Sequence, residues 1–133
     1  MVYPPTYRYT KDDEWVDVKG DVGIIGLTHE AQCRLGDIVF LDLPPAGRTL
    51  EAGKPLGIVE SVKAVFEIFS PVSGEVVEVN AELKDAPEKV NSDPHGAGWL
   101  VKVRLKDPTE TEALMDATAY EAYAASPSRE SSH

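Results

Sequence analysis

The chain has 133 residues, of which 42% are hydrophobic and 27% charged, and this balance predicts one domain with a packed core. Its 23 acidic and 13 basic residues give a formal net charge of −10, which argues against nucleic acid and anionic membranes as partners. The single cysteine excludes an internal disulfide, and no apolar run approaches the roughly 20 residues that span a bilayer. The first residues resemble neither a signal nor a transit peptide, so we expect a cytoplasmic protein.

The first part of the chain predicts a hairpin followed by a short helix. Two β-favouring runs, residues 14–18 and Val22–Leu27, flank a turn that contains glycine. Thr28 is suited to cap a helix over His29–Leu35. Within that helix we expect Cys33 to be a buried apolar side chain, with a reactive thiol as the alternative.

The middle of the chain alternates short apolar strands with turns rich in proline and glycine, which is typical of a β-sandwich or a small barrel. The predicted strands begin at Gly36, Pro55, Ala64, Gly74 and Gly98. Lys63 therefore falls between two consecutive strands.

The C-terminal part is predicted to be helical. Asp107 and Glu110 supply an N-cap acid and a capping-box glutamate for a first helix. Thr118 can cap a second helix over residues 119–125. The polar residues 126–133 are predicted to form a flexible tail.

The segment with the clearest chemical meaning is Glu-Ser-Val-Lys-Ala at residues 60–64. Lys63 has the small neighbours Ser61 and Ala64, and a lysine in a tight turn projects its amine away from the core. An enzyme can acylate the amine there. A solvated turn lysine with no special role is the ordinary alternative.

Four stretches of the chain, in the same order, resemble the glycine cleavage H-protein family. They are Asp13-Glu14-Trp15, residues 26–39, residues 60–80 and residues 90–99. The resemblance implies a mainly β, lipoyl/biotinyl-carrier-like β-sandwich, a flattened barrel of two antiparallel sheets with a short internal helix and C-terminal helices. It also implies a single lipoyl-carrier domain over residues 1–125.

The same resemblance implies a carrier that is not itself an enzyme and has no catalytic residue. Lipoate would be attached covalently to Lys63 by a lipoate-attaching enzyme. The carrier would take an aminomethyl group from the P protein (glycine decarboxylase) to the T protein (aminomethyltransferase). The L protein (dihydrolipoamide dehydrogenase) would reoxidise the lipoyl group. We expect the chain to act as a monomer.

Two groups of site residues follow from the resemblance. The attaching enzyme is expected to recognise the residues around the lysine, namely Glu60, Ser61, Val62, Ala64 and Glu67. The acids Glu14 and Glu67 are expected to line a cleft that receives the loaded arm, because a cationic aminomethyl group is held by carboxylates. The alternative for these two acids is ordinary solvated surface.

The alternatives to this interpretation are other kinds of carrier, an unmodified binding domain and a metal site. Biotin carriers have methionine on both sides of their lysine, whereas this chain has only Met1 and Met115. Lipoyl domains of 2-oxoacid dehydrogenases usually have aspartate where Val62 stands. Three alternatives stay open: an H-like carrier used in lipoate relay, such a dehydrogenase lipoyl domain, and an unmodified binding domain. The three histidines lack metal-ligand spacing, so no metal site is expected.

The chain also departs from the family pattern at several positions. Asp13 stands where histidine is usual, Glu30 where an aromatic residue is more usual, and His95 where tyrosine is more usual. Val65 and Phe66 are bulkier than the small residues common after the modified lysine. These differences do not remove the attachment site, but they bear on partner recognition and on whether the chain serves the main pathway or is an H-like paralogue.

Overall fold

The computed structural model describes residues 3–126, which form two antiparallel β-sheets and several short helices. The strands are β1 (Arg8–Tyr9), β2 (Glu14–Lys19), β3 (Val22–Leu27), β4 (Ile38–Asp42), β5 (Thr49–Leu50), β6 (Pro55–Ser61), β7 (Val65–Phe69), β8 (Gly74–Val79) and β9 (Val101–Leu105). The helices are α1 (His29–Leu35), α2 (Glu82–Asp85), α3 (Lys89–Ser92) and α4 (Ala117–Ala124), with a 3-10 helix at Pro108–Ala113.

The two sheets differ in size. One has six strands in the order β1-β2-β3-β9-β8-β5, and the other has three in the order β4-β6-β7. Alternate residues of each strand face the other sheet, and these positions carry the apolar side chains. The buried contributions include Val16, Ile25, Val76, Val101 and Val103 from the larger sheet and Ile38, Leu56, Val59 and Ile68 from the smaller one. The predicted mainly β sandwich is confirmed.

A second, aromatic cluster attaches the C-terminal helix to the larger sheet. It contains Tyr3, Tyr9, Trp15 and Tyr120, each less than a tenth exposed. The rings of Tyr9 and Tyr120 stack with their centroids 4.9 Å apart. Because such rings bury large apolar areas, this cluster fixes α4 against β1 and β2.

The local signals near the start of the chain are confirmed. The predicted hairpin is β2 with β3, paired from Glu14 opposite Leu27 to Lys19 opposite Val22. Thr28 is the N-cap of α1, and its Oγ1 accepts a hydrogen bond of 3.1 Å from the amide of Ala31.

Three expectations elsewhere are wrong. The helix predicted after Asp107 is a 3-10 helix, in which Glu110 accepts hydrogen bonds from the amide and hydroxyl of Ser73 (2.8 and 2.9 Å). Helix α4 is capped by Asp116, whose carboxylate accepts from Ala119 N at 2.8 Å, and Thr118 lies inside the helix. Cys33 is exposed on α1.

The other boundary predictions concern the ends of the chain. The predicted flexible tail lies outside the described residues except for Ser126. Among residues 3–126, none of the helices has the length and apolar character needed to cross a bilayer.

Candidate functional site

Lys63 lies in the turn between β6 and β7, as predicted, with its side chain exposed. Ser61 closes this turn. Its amide donates to the carbonyl of Ala64 at 2.9 Å, and its hydroxyl accepts from the amides of Lys63 (3.2 Å) and Ala64 (3.3 Å). A small buried hydroxyl is therefore needed at residue 61, and it fixes the backbone from which the lysine projects.

The turn rests on the loop that follows α1. The amide of Val62 donates to the carbonyl of Asp37 at 3.0 Å. Gly36 has a φ of +77°, and a Cβ added there would lie 3.4 Å from Cε of Lys63. Glycine at residue 36 thus allows both the left-handed backbone and the close approach of the lysine stem.

Asn91, on α3, holds this loop from the other side. Its Nδ2 donates to the carbonyl of Gly36 at 2.8 Å, and its Oδ1 accepts from the amide of Ile38 at 2.9 Å. The side chain of Asn91 thus supplies hydrogen bonds to two backbone groups, the carbonyl of Gly36 and the amide of Ile38, which would otherwise be left without a partner there. The sequence alone indicates no such role for Asn91, because nothing local links it to a loop 53 residues away.

A cleft of about 500 Å³ opens between the two sheets beside α1. Its apolar wall contains Leu27, Leu35, Val59 and Ile68, and its charged or polar lining includes Asp12, Glu14, Arg34 and Glu67. The apolar residues come from both sheets and from the helix. The cleft is therefore a continuation of the core that is open to solvent and carries acids at its margin.

Glu14 is the buried acid of the cleft, with only 2% of its surface exposed. One carboxylate oxygen accepts from the hydroxyl of Thr10 at 2.7 Å, and the other accepts from the amide of Phe69 at 3.3 Å. Burial raises the pKa of Glu14 to about 8, with smaller contributions from the negative charges of Asp12 and Asp13. The two hydrogen bonds oppose this rise in part because they favour the charged form.

Glu67 occupies a different position at the same cleft. In β7 it pairs with Ile58, whereas its neighbours Phe66 and Ile68 pair with Val59 and Gly57. Because side chains alternate along a strand, Glu67 points to the opposite face from Phe66 and Ile68. Glu67 is exposed, so it contributes to the rim of the cleft, while Glu14 contributes to its interior.

Comparison with known proteins identifies the family. The sequence model of the family described as "Glycine cleavage H-protein" matches residues 7–126. The chain belongs to this family. It is 53% identical to the glycine cleavage system H protein of Acidobacterium capsulatum (92% of this chain, 95% of that one). It is 52% identical to that of Brevibacillus brevis (92% and 97%). The crystal structure of the Mycobacterium marinum H protein superposes with a TM-score of 0.83 at 39% identity (90% and 97%).

Glycine cleavage H proteins are lipoyl carriers, so this chain is a non-catalytic shuttle in glycine catabolism and not an enzyme. The predicted family, fold and carrier function are thus confirmed. The relatives described above all have this name, and the alternatives of a relay carrier and a dehydrogenase lipoyl domain are not favoured.

The residues expected to be recognised during lipoate attachment lie around the Lys63 turn. Val62 is 67% exposed, Ala64 and Glu67 are also exposed, and Glu60 is half-buried. Ser61 is buried and contributes through the turn that it closes. An enzyme can therefore contact four of these five side chains.

The histidines contribute to structure near α1. His95 accepts a hydrogen bond of 3.1 Å from the amide of His29, and burial lowers the pKa of His95 to about 4. In the part of the chain that the structure describes, no three His, Cys, Asp or Glu residues are grouped to hold a metal ion. His133 lies outside that part.

Proposed function

We propose that Lys63 is the attachment site and carries lipoate in an amide linkage, with the cleft beside α1 receiving the loaded arm. The observation that supports this most directly is the exposed lysine on a turn that four neighbouring groups hold in place. Those groups are Ser61, Ala64, Asp37 and Gly36. A rigid origin with a free tip is what a swinging arm requires.

The residues present fit lipoate. Amide formation removes the positive charge of Lys63, so the product needs no counter-ion near the turn. The apolar wall of the cleft, with Leu27, Leu35, Val59 and Ile68, suits a hydrocarbon chain that ends in a disulfide ring. When bound, lipoate supplies a sulfur on which the aminomethyl group is carried.

The chain's own side chains would bind and shield the carried group. In the described structure the hydrogen-bond partners of Glu14 are the hydroxyl of Thr10 and the amide of Phe69, and neither is a lysine or an arginine. These two bonds fix the direction of the carboxylate. A cation beside it favours the ionised form and draws its raised pKa down. The apolar wall excludes water that would release the group.

The partners we propose are the P, T and L proteins together with a lipoate-attaching enzyme. Tethering the cargo to Lys63 raises its effective concentration at each partner's active site, which free lipoamide would not do. The net charge of −10 favours partners with basic docking surfaces. We expect a monomer working in the bacterial cytoplasm, in keeping with the bacterial relatives.

Intact mass measurement tests the attachment site. After coexpression with a lipoate ligase, we expect one lipoyl group on the wild type and none on Lys63→Arg, because arginine cannot form the amide. Lys54→Arg is the matched control, since Lys54 is also exposed beside β6 and should leave the adduct unchanged. A lipoyl adduct on Lys63→Arg would disprove the assignment.

The cleft is tested by the lifetime of the loaded protein. Glu14→Gln should leave lipoylation intact but speed spontaneous loss of the aminomethyl group several-fold, because a buried carboxylate holds a cation more strongly than an amide does. Glu67→Gln should have a smaller effect, since an exposed charge is screened by solvent. Equal lifetimes for the wild type and Glu14→Gln would show that this acid does not hold the arm.

A further inference from the structure

Helix α4 does not line the cleft, but its Tyr120 side chain contacts residues beside it. The Tyr120 ring is fully buried. Its hydroxyl lies 2.7 Å from Oδ1 of Asp13 and 2.8 Å from Oγ1 of Thr28. Asp13 precedes the buried acid Glu14, and Thr28 begins α1, so Tyr120 joins two elements that border the cleft.

The hydrogens of these groups can be assigned in only one consistent order. A carboxylate can only accept, so the one hydrogen of the Tyr120 hydroxyl goes to Oδ1 of Asp13. Oγ1 of Thr28, which accepts from the amide of Ala31, therefore donates its own hydrogen to the Tyr120 oxygen. Burial raises the pKa of Tyr120, which keeps this hydroxyl protonated. The result is a directional series of hydrogen bonds that runs from Thr28 through Tyr120 to Asp13.

Asp13 adopts a conformation that needs such support. Its φ is +66°, in the left-handed region that residues other than glycine adopt less readily. Its amide donates to the carbonyl of Thr10 at 3.2 Å, and its carbonyl accepts from the amide of Thr28 at 3.0 Å. The turn from Thr10 to Glu14 is closed by these contacts, and Thr10 in turn donates to the Glu14 carboxylate.

We propose that Tyr120 is a positioning residue for Glu14. By holding Asp13 in its left-handed conformation, Tyr120 keeps Thr10 and Glu14 in the register that buries the acid at the cleft. The C-terminal helix is thereby part of the arm-holding machinery. This inference rests on the proposed function for its role in holding the arm, while the link from Tyr120 to Glu14 stands on the contacts above.

The direct test is an NMR titration of the Glu14 side-chain carboxyl in the full-length unlipoylated protein. In Tyr120→Phe we expect its pKa to fall by about one unit, because a looser turn admits water and relieves desolvation. Tyr9→Phe is the matched control. Its ring belongs to the same aromatic cluster, but its hydroxyl donates to the carbonyl of Pro4 at 2.7 Å, outside the turn from Thr10 to Glu14, so the pKa should not change.

A second substitution, which removes a different hydroxyl from the same series of hydrogen bonds, provides the test if Tyr120→Phe folds poorly. Thr28→Val removes the hydroxyl that donates to Tyr120 and should also lower the pKa of Glu14. Thr28→Ser retains that hydroxyl and should restore the wild-type value. On the lipoylated, loaded protein, Tyr120→Phe should shorten the lifetime of the aminomethyl group about threefold, and it should add nothing in a Glu14→Gln background.

Two results would contradict these expectations, each in a different way. If Tyr120→Phe lowers the melting temperature but leaves the pKa of Glu14 and the lifetime of the carried group unchanged, Tyr120 is only a structural residue and the inference is overturned. Failure of the wild type to accept lipoate would instead disprove the proposed function. The titration of Glu14 does not depend on lipoylation, so the two failures are distinguishable.

Discussion

Replacing Glu14 with glutamine should make the stability of the protein less dependent on pH. The pKa of Glu14 is raised from 4.5 to about 8 in the folded protein, chiefly by burial. Between these two values the folded protein retains a proton that the unfolded chain has released. The free energy of unfolding therefore falls as the pH rises through this window, and above pH 8 the penalty is constant. Glutamine cannot ionise and carries no such penalty.

The size of the effect follows from the width of the window. One pKa unit corresponds to about 1.36 kcal/mol, so the full shift sets a ceiling of about 5 kcal/mol. Between pH 5.5 and 8 the stability of Glu14→Gln relative to the wild type should rise by about 3 kcal/mol. Exchanging one acceptor oxygen for an amide weakens the bond with Thr10 or Phe69, but that cost is the same at every pH in the window.

Urea unfolding of the unlipoylated chain at intervals from pH 5.5 to pH 9 measures this difference. Taking the difference between two proteins cancels the titration of the other carboxylates, provided that they do not contact Glu14. Glu67→Gln serves as the control, because it makes the same change of side chain at an exposed position of the same cleft. Parallel curves for the wild type and Glu14→Gln would refute the reasoning and would mean that Glu14 is ionised in the folded protein.

Three further substitutions test the attachment turn. Lys63→Arg should change the free energy of unfolding by less than about 0.5 kcal/mol, as thermal melts would show, because the side chain is exposed. Asn91→Ala should cost about 2–3 kcal/mol in urea unfolding, since it removes the bonds to Gly36 and Ile38, whereas Ser92→Ala on the same helix should cost little. Gly36→Ala should cost about 1–2 kcal/mol from its left-handed backbone and should slow lipoylation of Lys63 in a ligase assay. A wild-type rate of lipoylation in Gly36→Ala would show that the loop does not position the lysine.

Elements with local signals were predictable from the sequence. Helix α1 has its cap, Thr28, directly before it, and the β2–β3 hairpin has its turn between two β-favouring runs. The C-terminal helices were less predictable because their termini depend on distant groups. Glu110 binds Ser73, 37 residues away, in place of its own helix end, and Asp116 displaces Thr118 as the cap of α4.

The candidate site also has parts that local sequence predicts and parts that it does not. The position of the turn that carries Lys63 was predictable, because Ser61 and Ala64 close it from within the same segment. The burial of Glu14 and the support from Asn91 arise from contacts across 55 and 53 residues, to Phe69 and Ile38. Periodicity and local motifs do not show contacts between residues so far apart in the chain. Glu14 and Glu67 therefore had the same expected role from the sequence, which did not predict that one acid is interior and the other lies at the rim.

Strand β7 forms one edge of the smaller sheet, and in residues 3–126 it pairs with β6 alone. Val65 and Phe66 on this strand are 57% and 43% exposed. An open edge with apolar side chains is a surface on which a second copy of a chain can add its own strand. The exposed Glu67 on the same strand opposes such pairing, and the net charge of −10 adds long-range repulsion at neutral pH. This repulsion fades near the pI of about 4.6, where edge-to-edge association should be greatest.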